Sequence, residues 1–230
     1  MRITTIASGS SGNCYVISDS QQNSLIVECG HGTFQSALVA IPDIKRICGV
    51  IVSHYHQDHA GDQSKIKQYG INVFGPDNFT HAQQINLGNS YEWSCIPLAV
   101  EHDPGIECFA FFIRSNVDGK IVLFATDCYN YSRIIDALPE PLSLAMIEVN
   151  HSAHILDCSS YPADLKERVR RSHCSVQRAS LAVQRAKCQR FLLIHPSAHN
   201  INQEEALKLL RDEFPNRVFE FAKPGLVIEI

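Results

Sequence analysis

The sequence predicts layered α and β structure packed around sheets, in one domain. Three observations carry this expectation. The chain has 230 residues, enough for one sizeable core. Its apolar share is 45% and its mean hydropathy −0.08, a balance that pays for burial and argues against disorder. Short apolar runs come first as consecutive strands, then alternate with amphipathic helices.

The elements follow in order. Ile3 to Ile6 is a short apolar run, and Ala7-Ser8-Gly9-Ser10-Ser11-Gly12-Asn13 after it is a turn by composition. Cys14 to Ile17 and Leu25 to Val27 read as buried strands, and Phe34 to Ala40 as a helix. Gly49 to Val52 is a strand that runs directly into a histidine cluster, and Asp62 to Tyr69 is helical by pattern. Ile96 to Glu101, Cys108 to Ile113 and Lys120 to Ala125 are strands, with a turn at Val117-Asp118-Gly119. Leu142 to Ile147 is another strand, followed by helices at Ala163 to Arg171 and Val176 to Lys187. Phe191 to Ile194 is a strand ending at His195, Gln203 to Phe214 a helix, and Arg217 to Phe221 and Leu226 to Ile230 closing strands. No internal repeat, low-complexity stretch or long Pro/Ser linker divides the chain, so one domain spanning 1–230 is expected.

Composition removes several classes. No apolar run approaches the ~20 residues of a membrane helix, and the first residues lack the apolar stretch of a signal peptide, so no membrane partner is expected. Nine cysteines are scattered without any C-x-x-C pair. They do not point to a thiolate zinc site, and they fit a reducing cytoplasm better than secretion. The net charge is −4, yet residues 161–190 hold eight Lys/Arg against two Asp/Glu, a local balance of +6 in an otherwise acidic chain. Such a block is either the solvated face of an amphipathic helix or the place where an anionic ligand lands.

The strongest signal is His54-Tyr55-His56-Gln57-Asp58-His59, an H-x-H-x-D-H cluster. From the histidine and aspartate frequencies its chance occurrence is about one in a thousand. Imidazole nitrogens and carboxylate oxygens suit Zn²⁺, Mn²⁺ or Fe. His54 and His56, two apart in extended chain, can point the same way, while Asp58 and His59 follow at a helix start and can face a second ion.

This cluster closely resembles the signature of the metallo-β-lactamase superfamily, and the rest of the chain falls into that family's order. His102 in Val100-Glu101-His102-Asp103, Asp127 in Phe124-Ala125-Thr126-Asp127 and His195 in Leu193-Ile194-His195-Pro196-Ser197 each follow an apolar run, as the family's third histidine, bridging aspartate and last histidine do. Within the superfamily the resemblance is to YycJ/WalJ-type and RNase Z-like hydrolases. It rests on Ser8 to Cys14, on Glu148-Val149-Asn150-His151 and on Ser172-His173-Cys174-Ser175 preceded by a basic stretch. The resemblance implies an α/β four-layer αβ/βα sandwich. It implies two divalent metal ions, Zn or Mn, as cofactors. His54, His56 and His102 would hold one, Asp58, His59 and His195 the other, and Asp127 would bridge them. Asp58 and His173 are the catalytic candidates. A hydroxide shared between the ions would attack phosphorus in line, and His173 would meet the scissile phosphate. Glu28 stands where the family usually has Asp and, with Glu148, would orient ligand histidines. Arg168, Arg171, Arg178 and Ser175 are the phosphate-binding candidates.

The function so implied is a metal-dependent phosphodiesterase, foremost an exonuclease-like nuclease on DNA or RNA. The alternative is a phosphodiesterase of small cyclic nucleotides, of the kind phages use against defence signals, where a homodimer would help cover the pocket. Only 24 residues separate His102 from Asp127, too few for the long tRNA-gripping arm of RNase Z. A thioester or lactam hydrolase is disfavoured by the His173 element and by the absence of a matching cysteine ligand.

Overall fold

The structure, a computed structural model, describes residues 1–131, 134, 136–137 and 141–230. Among these, β1 (Arg2–Ala7), β2 (Cys14–Ser18) and β3 (Ser24–Val27) form an antiparallel meander. The chain continues through α1 (Phe34–Ala40) into β4 (Ile47–Ile51), then the one-turn α2 (Gln57–Ala60), α3 (Gln63–Gln68) and β5 (Val73–Phe74). β4 and β5 join the meander in parallel, and the sheet order is β13-β1-β2-β3-β4-β5.

The second sheet begins with β6 (Ile85–Leu87), β7 (Trp93–Val100), β8 (Cys108–Ser115) and β9 (Ile121–Ala125), all antiparallel. β10 (Leu144–Glu148), β11 (Arg190–Ile194) and β12 (Val218–Phe221) add to β9 in parallel, giving the order β12-β11-β10-β9-β8-β7-β6. Parallel neighbours need crossover connections. These carry α4 (Ala153–Cys158), α5 (Ala163–Ser172) and α6 (Val176–Arg185) between β10 and β11, and α7 (Gln203–Glu213) between β11 and β12. The chain closes with β13 (Val227–Glu229) beside β1.

The period-2 alternation of each strand builds the layers. Tyr15, Ile17, Leu25 and Val27 of the first sheet meet Phe111, Phe124, Met146 and Ile194 of the second in the core between the sheets. Their strand neighbours Cys14, Val16 and Ile26 face outward onto Phe34 and Ala37 of α1 and Ile66 of α3. On the other side, Leu123, Ala145 and Leu193 face Val176, Ala179 and Val183 of α6 and Leu210 of α7. The molecule is thus the α/β four-layer sandwich that the resemblance implied.

Most elements lie where the pattern put them. β7 starts earlier than expected, at Trp93, which is fully buried between the sheets. Leu142 lies outside β10: the strand begins at Leu144, and the Leu142 N–H is taken by the Lys187 carbonyl at 3.0 Å. β5, β6 and α4 were not foreseen. They are too short for a period to emerge.

Strand register sets up one edge. In the parallel run, Ala125 pairs with Ile147, and Glu148 pairs with Ile194. The strands therefore end level, and the residues just past them emerge side by side, about 4.8 Å per strand. Two of those residues, Asp127 after β9 and His195 after β11, have φ of +48° and +53°, and Glu28 after β3 of the first sheet has φ of +62°. Left-handed backbone at a non-glycine residue is uncommon and collects at functional sites. Here it turns the chain sharply at the strand end and leaves the side chain on the edge.

Backbone closeness fixes the H-x-H-x-D-H segment against the first turn. A Cβ on Gly30 would lie 2.4 Å from the Asp58 carbonyl oxygen and 2.7 Å from the Asn13 nitrogen. Both are backbone atoms that hydrogen-bond each other at 2.7 Å. We expect Gly30→Ala to destabilise the fold by about 1–3 kcal/mol, read as a lowered urea midpoint at unchanged m. It should also weaken metal retention, because relief of the clash moves Asp58. A wild-type midpoint would show that this contact is not tight.

Candidate metal centre

The candidate side chains arrive on the same edge from several strand ends and one helix end. His54, His56, Asp58 and His59 follow β4, with His56 the N-cap residue of α2. His102 follows β7, Asp127 follows β9, Glu148 ends β10 and His195 follows β11. His173 caps the C-terminus of α5 and does not open α6, whose N-cap is Ser175.

Two groups share the edge. In the first, His54 Nε2 lies 2.9 Å from His56 Nδ1, and His102 Nε2 lies 3.4 Å from that same nitrogen. The His102 Nδ1–H donates to the Ser172 carbonyl at 3.1 Å, which leaves its Nε2 lone pair aimed into the group. Burial, then the charge of His59, holds the His54 imidazole down at about 2, and burial followed by His102 lowers His56. Neutral rings are what a cation needs as ligands.

In the second group, His59 Nε2 stands 2.9 Å from Asp127 Oδ2 and 3.2 Å from Asp58 Oδ2. His195 Nε2 stands 3.3 Å from Asp58 Oδ2 and 3.7 Å from Asp127 Oδ2. The other oxygen of Asp127, Oδ1, faces His173 Nδ1 at 3.0 Å. Burial opposes the charge on His59, yet Asp127 and Glu28 outweigh it and hold the ring well above the usual imidazole value. The same contest, with Asp127 and then Asp58 as partners, brings His195 up to about 9. Burial alone would raise Asp127, but His195 and His59 hold it well below the usual carboxylate range. Asp58 behaves likewise, lowered by hydrogen bonds from His195 and His59.

Glu148 and Glu28 act behind these groups. Glu148 is fully buried. Its Oε2 accepts the backbone N–H of Cys128 at 3.2 Å and of Cys174 at 3.1 Å, and its Oε1 meets His173 Nδ1 at 2.7 Å and His195 Nδ1 at 3.5 Å. One carboxylate therefore locks two imidazoles. Glu28 accepts the Ser53 N–H at 3.1 Å through Oε1 and brings Oε2 to 3.5 Å from His59 Nδ1, so the longer side chain still reaches.

The donor set fits a cation. His54, His56 and His102 form one set whose ligand atoms lie within 4.8 Å of one another, and Asp58, His59 and His195 form another. Asp127 belongs to two further sets, one with His54 and His59 and one with Glu148, His173 and His195. Nitrogen pairs at 2.9 and 3.4 Å bracket the ~3.3 Å edge of a tetrahedron with Zn–N bonds of about 2.0–2.1 Å. These residues could hold divalent metal.

A cleft of about 440 Å³ opens over the groups, lined by His56, Asp58, His102, Asp127, His173 and His195 and by Arg168 from α5. The other phosphate-binding candidates lie elsewhere. Arg171 is exposed and paired with Glu167 at 2.7 Å, four residues back on the same helix. Arg178 lies over the Tyr129 ring at 4.9 Å and donates to the Arg170 carbonyl at 2.9 Å. The Ser175 hydroxyl caps α6 by accepting the Arg178 N–H at 3.3 Å. Helical periodicity explains the split: Arg171 and Arg168 are three apart, but Arg171 falls one position outside the cleft-facing stripe. Sequence reasoning missed Tyr161, Leu165 and Val169, which also line the cleft. Their helical spacing was readable, but nothing in it separates a cleft wall from a core stripe. It also missed Asn13, whose Nδ2 lies 3.2 Å from His59 Nε2.

Residues 7–77 match the family model of the metallo-beta-lactamase superfamily. The chain is 25% identical over 192 residues to the exodeoxyribonuclease WalJ of Streptococcus pneumoniae, covering 73% of this chain and 69% of that one. Its fold is similar to that of the metallo-beta-lactamase fold protein YhfI from Bacillus subtilis, with TM-score 0.75, 21% identity and 99% of each chain covered. It is also similar to the short form of human tRNase Z, with TM-score 0.68, 14% identity and 100% and 99% covered. The fold is that of the metallo-β-lactamase-fold proteins, and the segment that matches the superfamily model contains His54, His56, Asp58 and His59 of the donor set.

The pKa pattern makes metal binding a proton-releasing reaction. Histidines raised above 6.5 carry protons at pH 7, and a ligating nitrogen must lose its proton. Titrating Zn²⁺ into chelator-treated protein should release about one to two protons per chain at pH 7 and progressively fewer as pH rises through 9. Calorimetry in buffers of different ionisation enthalpy measures this. Without added metal, the stability that His195 contributes is fully present below pH 6.5 and is lost as pH rises through about 9. Metal uptake with no proton release at pH 7 would contradict this electrostatic account.

Proposed function

We propose that the chain is a phosphodiesterase that uses two divalent metal ions, Zn or Mn, and acts on nucleic acid as an exonuclease-like enzyme. The observation that carries this reading is the placement of Asp127. Its carboxylate is 2% exposed, lies within reach of both donor groups, and presents its second oxygen to His173. A pair of ions at the two groups would supply Lewis-acid polarisation of a phosphoryl oxygen and a water acidic enough to attack at neutral pH.

The remaining work falls to this chain's own side chains. His54, His56 and His102 offer neutral nitrogens, and Asp58, His59 and His195 offer a mixed oxygen and nitrogen set. Asp58 lines the cleft with its carboxylate held ionised by His195 and His59, so it can accept a hydrogen bond from the attacking water. His173 is pinned through Nδ1 between Asp127 and Glu148, and those two carboxylates raise its pKa well above the usual imidazole value despite burial. A cationic ring held in that way can donate to a phosphoryl or leaving oxygen that enters the cleft. The relatives named exodeoxyribonuclease support a polynucleotide substrate, as does a cleft cation at Arg168. No described helix is long and apolar enough to cross a membrane. The nine free cysteines support a reducing cytoplasm as the site of action.

The small-molecule reading keeps one specific support. A cleft of about 440 Å³ is the size that encloses a small ligand, and three of the four proposed phosphate contacts fall outside it. One assay separates the readings. Metal-loaded protein is offered single-stranded DNA with a 5′ phosphate, single-stranded RNA and a cyclic mononucleotide panel. We expect polymer shortening from an end, lost in Asp127→Ala together with bound metal. In His173→Ala kcat should fall by about 10²–10⁴-fold with metal retained. Turnover of cyclic nucleotides with polymers untouched would overturn the nuclease assignment.

A further inference from the structure

We propose that one wall of the cleft is a subsite for the base of a terminal nucleotide, so that the enzyme recognises a strand by its last residue. The proposal rests on the phosphodiesterase reading above and names what that site holds beside the scissile phosphate. It starts from α5. Leu165, Arg168, Val169 and Ser172 all line the cleft, and their spacing of three, four and seven residues is one face of a helix. Tyr161, just before the helix, extends the same face.

The rest of the basic block is directed elsewhere. Arg171 pairs with Glu167, Arg170 pairs with Asp157, and the Lys166 ammonium donates to the Asp157 carbonyl at 2.7 Å. Among the described residues Arg168 is the Lys/Arg of this block that lines the cleft, and no described carboxylate lies within ion-pair distance of it. A groove built to track many phosphates would present several cations along its length. This face presents one, set in an aromatic and aliphatic surface of Tyr161, Leu165 and Val169. One cation beside an apolar plane matches one phosphate beside one base, because every base has a π-face that stacks on such a surface.

A second observation points the same way. Asn200, in the loop after β11, also lines the cleft and is 2% exposed, and its carboxamide oxygen has no hydrogen-bond partner among the described residues. A buried acceptor without a donor is costly, and at a cleft-lining residue a ligand N–H or O–H can supply the missing donor. Bases and sugars carry such donors, while a bare phosphodiester does not.

The test uses binding first, then cleavage. Zn-loaded wild type should bind deoxyadenosine monophosphate about 5- to 150-fold more tightly than 2-deoxyribose 5-phosphate, the range that stacking of one base contributes. Tyr161→Ala should abolish the difference and Tyr161→Phe should keep it. Tyr161 is half-buried at the cleft rim, so both variants should unfold at the wild-type temperature. In cleavage, an oligonucleotide with an abasic terminal residue should be a correspondingly poorer substrate for wild type and an equal one for Tyr161→Ala. Arg168→Ala should weaken both oligonucleotides alike and flatten the salt dependence of binding by about 0.7 in log–log slope, one phosphate contact on a single strand. If the two small ligands bind wild type equally, or Tyr161→Ala leaves their ratio unchanged, the subsite is overturned whatever the enzyme cleaves. Oligonucleotides left intact by a protein that still prefers the nucleotide would overturn the nuclease reading and keep the subsite.

Discussion

A carboxylate taken out of water must be paired, or it takes up a proton instead. Asp127 is 2% exposed and is paired three ways, with His59 at 2.9 Å, His173 at 3.0 Å and His195 at 3.7 Å. Those histidines arrive from three separate segments, the α2 turn, the α5–α6 junction and the end of β11. Charge on one carboxylate therefore ties together three segments that are far apart in sequence. The interaction favours assembly of the edge and at the same time reserves it. Each imidazole that neutralises Asp127 is one that a metal ion can replace as the counter-charge. Removing Asp127 would leave cationic rings close together, with His59 and His195 stacked at 5.2 Å and His173 and His195 at 5.4 Å.

The sheets prepare this edge. Their strands end level by register, and the left-handed backbone of Glu28, Asp127 and His195 turns the chain off the strand in a single step. Such backbone costs of order 1–3 kcal/mol at each residue and persists where the surroundings over-determine it. The core between the sheets provides that rigidity, with Phe111, Phe124 and Trp93 fully buried. Glu148 adds a second constraint by fixing His173 and His195 through one oxygen and two loop backbones through the other. Rigid strands supply position, and buried carboxylates supply orientation and charge.

Much of this was legible in the sequence, for definite reasons. Long apolar strands with period 2 and helices with clear stripes announced themselves, and so did the H-x-H-x-D-H cluster. The residues that follow apolar runs, His102, Asp127 and His195, were readable as an edge because strand ends converge. Two- and three-residue strands such as β5 and β6 carry no period and stayed hidden. The arginines misled for a similar reason. Composition shows that residues 161–190 are basic, but whether a guanidinium meets solvent, a carboxylate or a cleft depends on helical phase and on partners such as Glu167 and Asp157. Arg168 and Arg171 differ by three positions in sequence and by their whole surroundings in space.

Two donor groups share one buried carboxylate, and the direct test of that arrangement is to locate the metal. Crystals of the protein soaked in Zn²⁺ and measured at the zinc absorption edge would show every site by anomalous scattering. Two peaks are expected, one among His54, His56 and His102 and one among Asp58, His59 and His195, with Asp127 contributing an oxygen to each. A single peak, or two peaks with Asp127 turned away and still paired only to histidine, would contradict it.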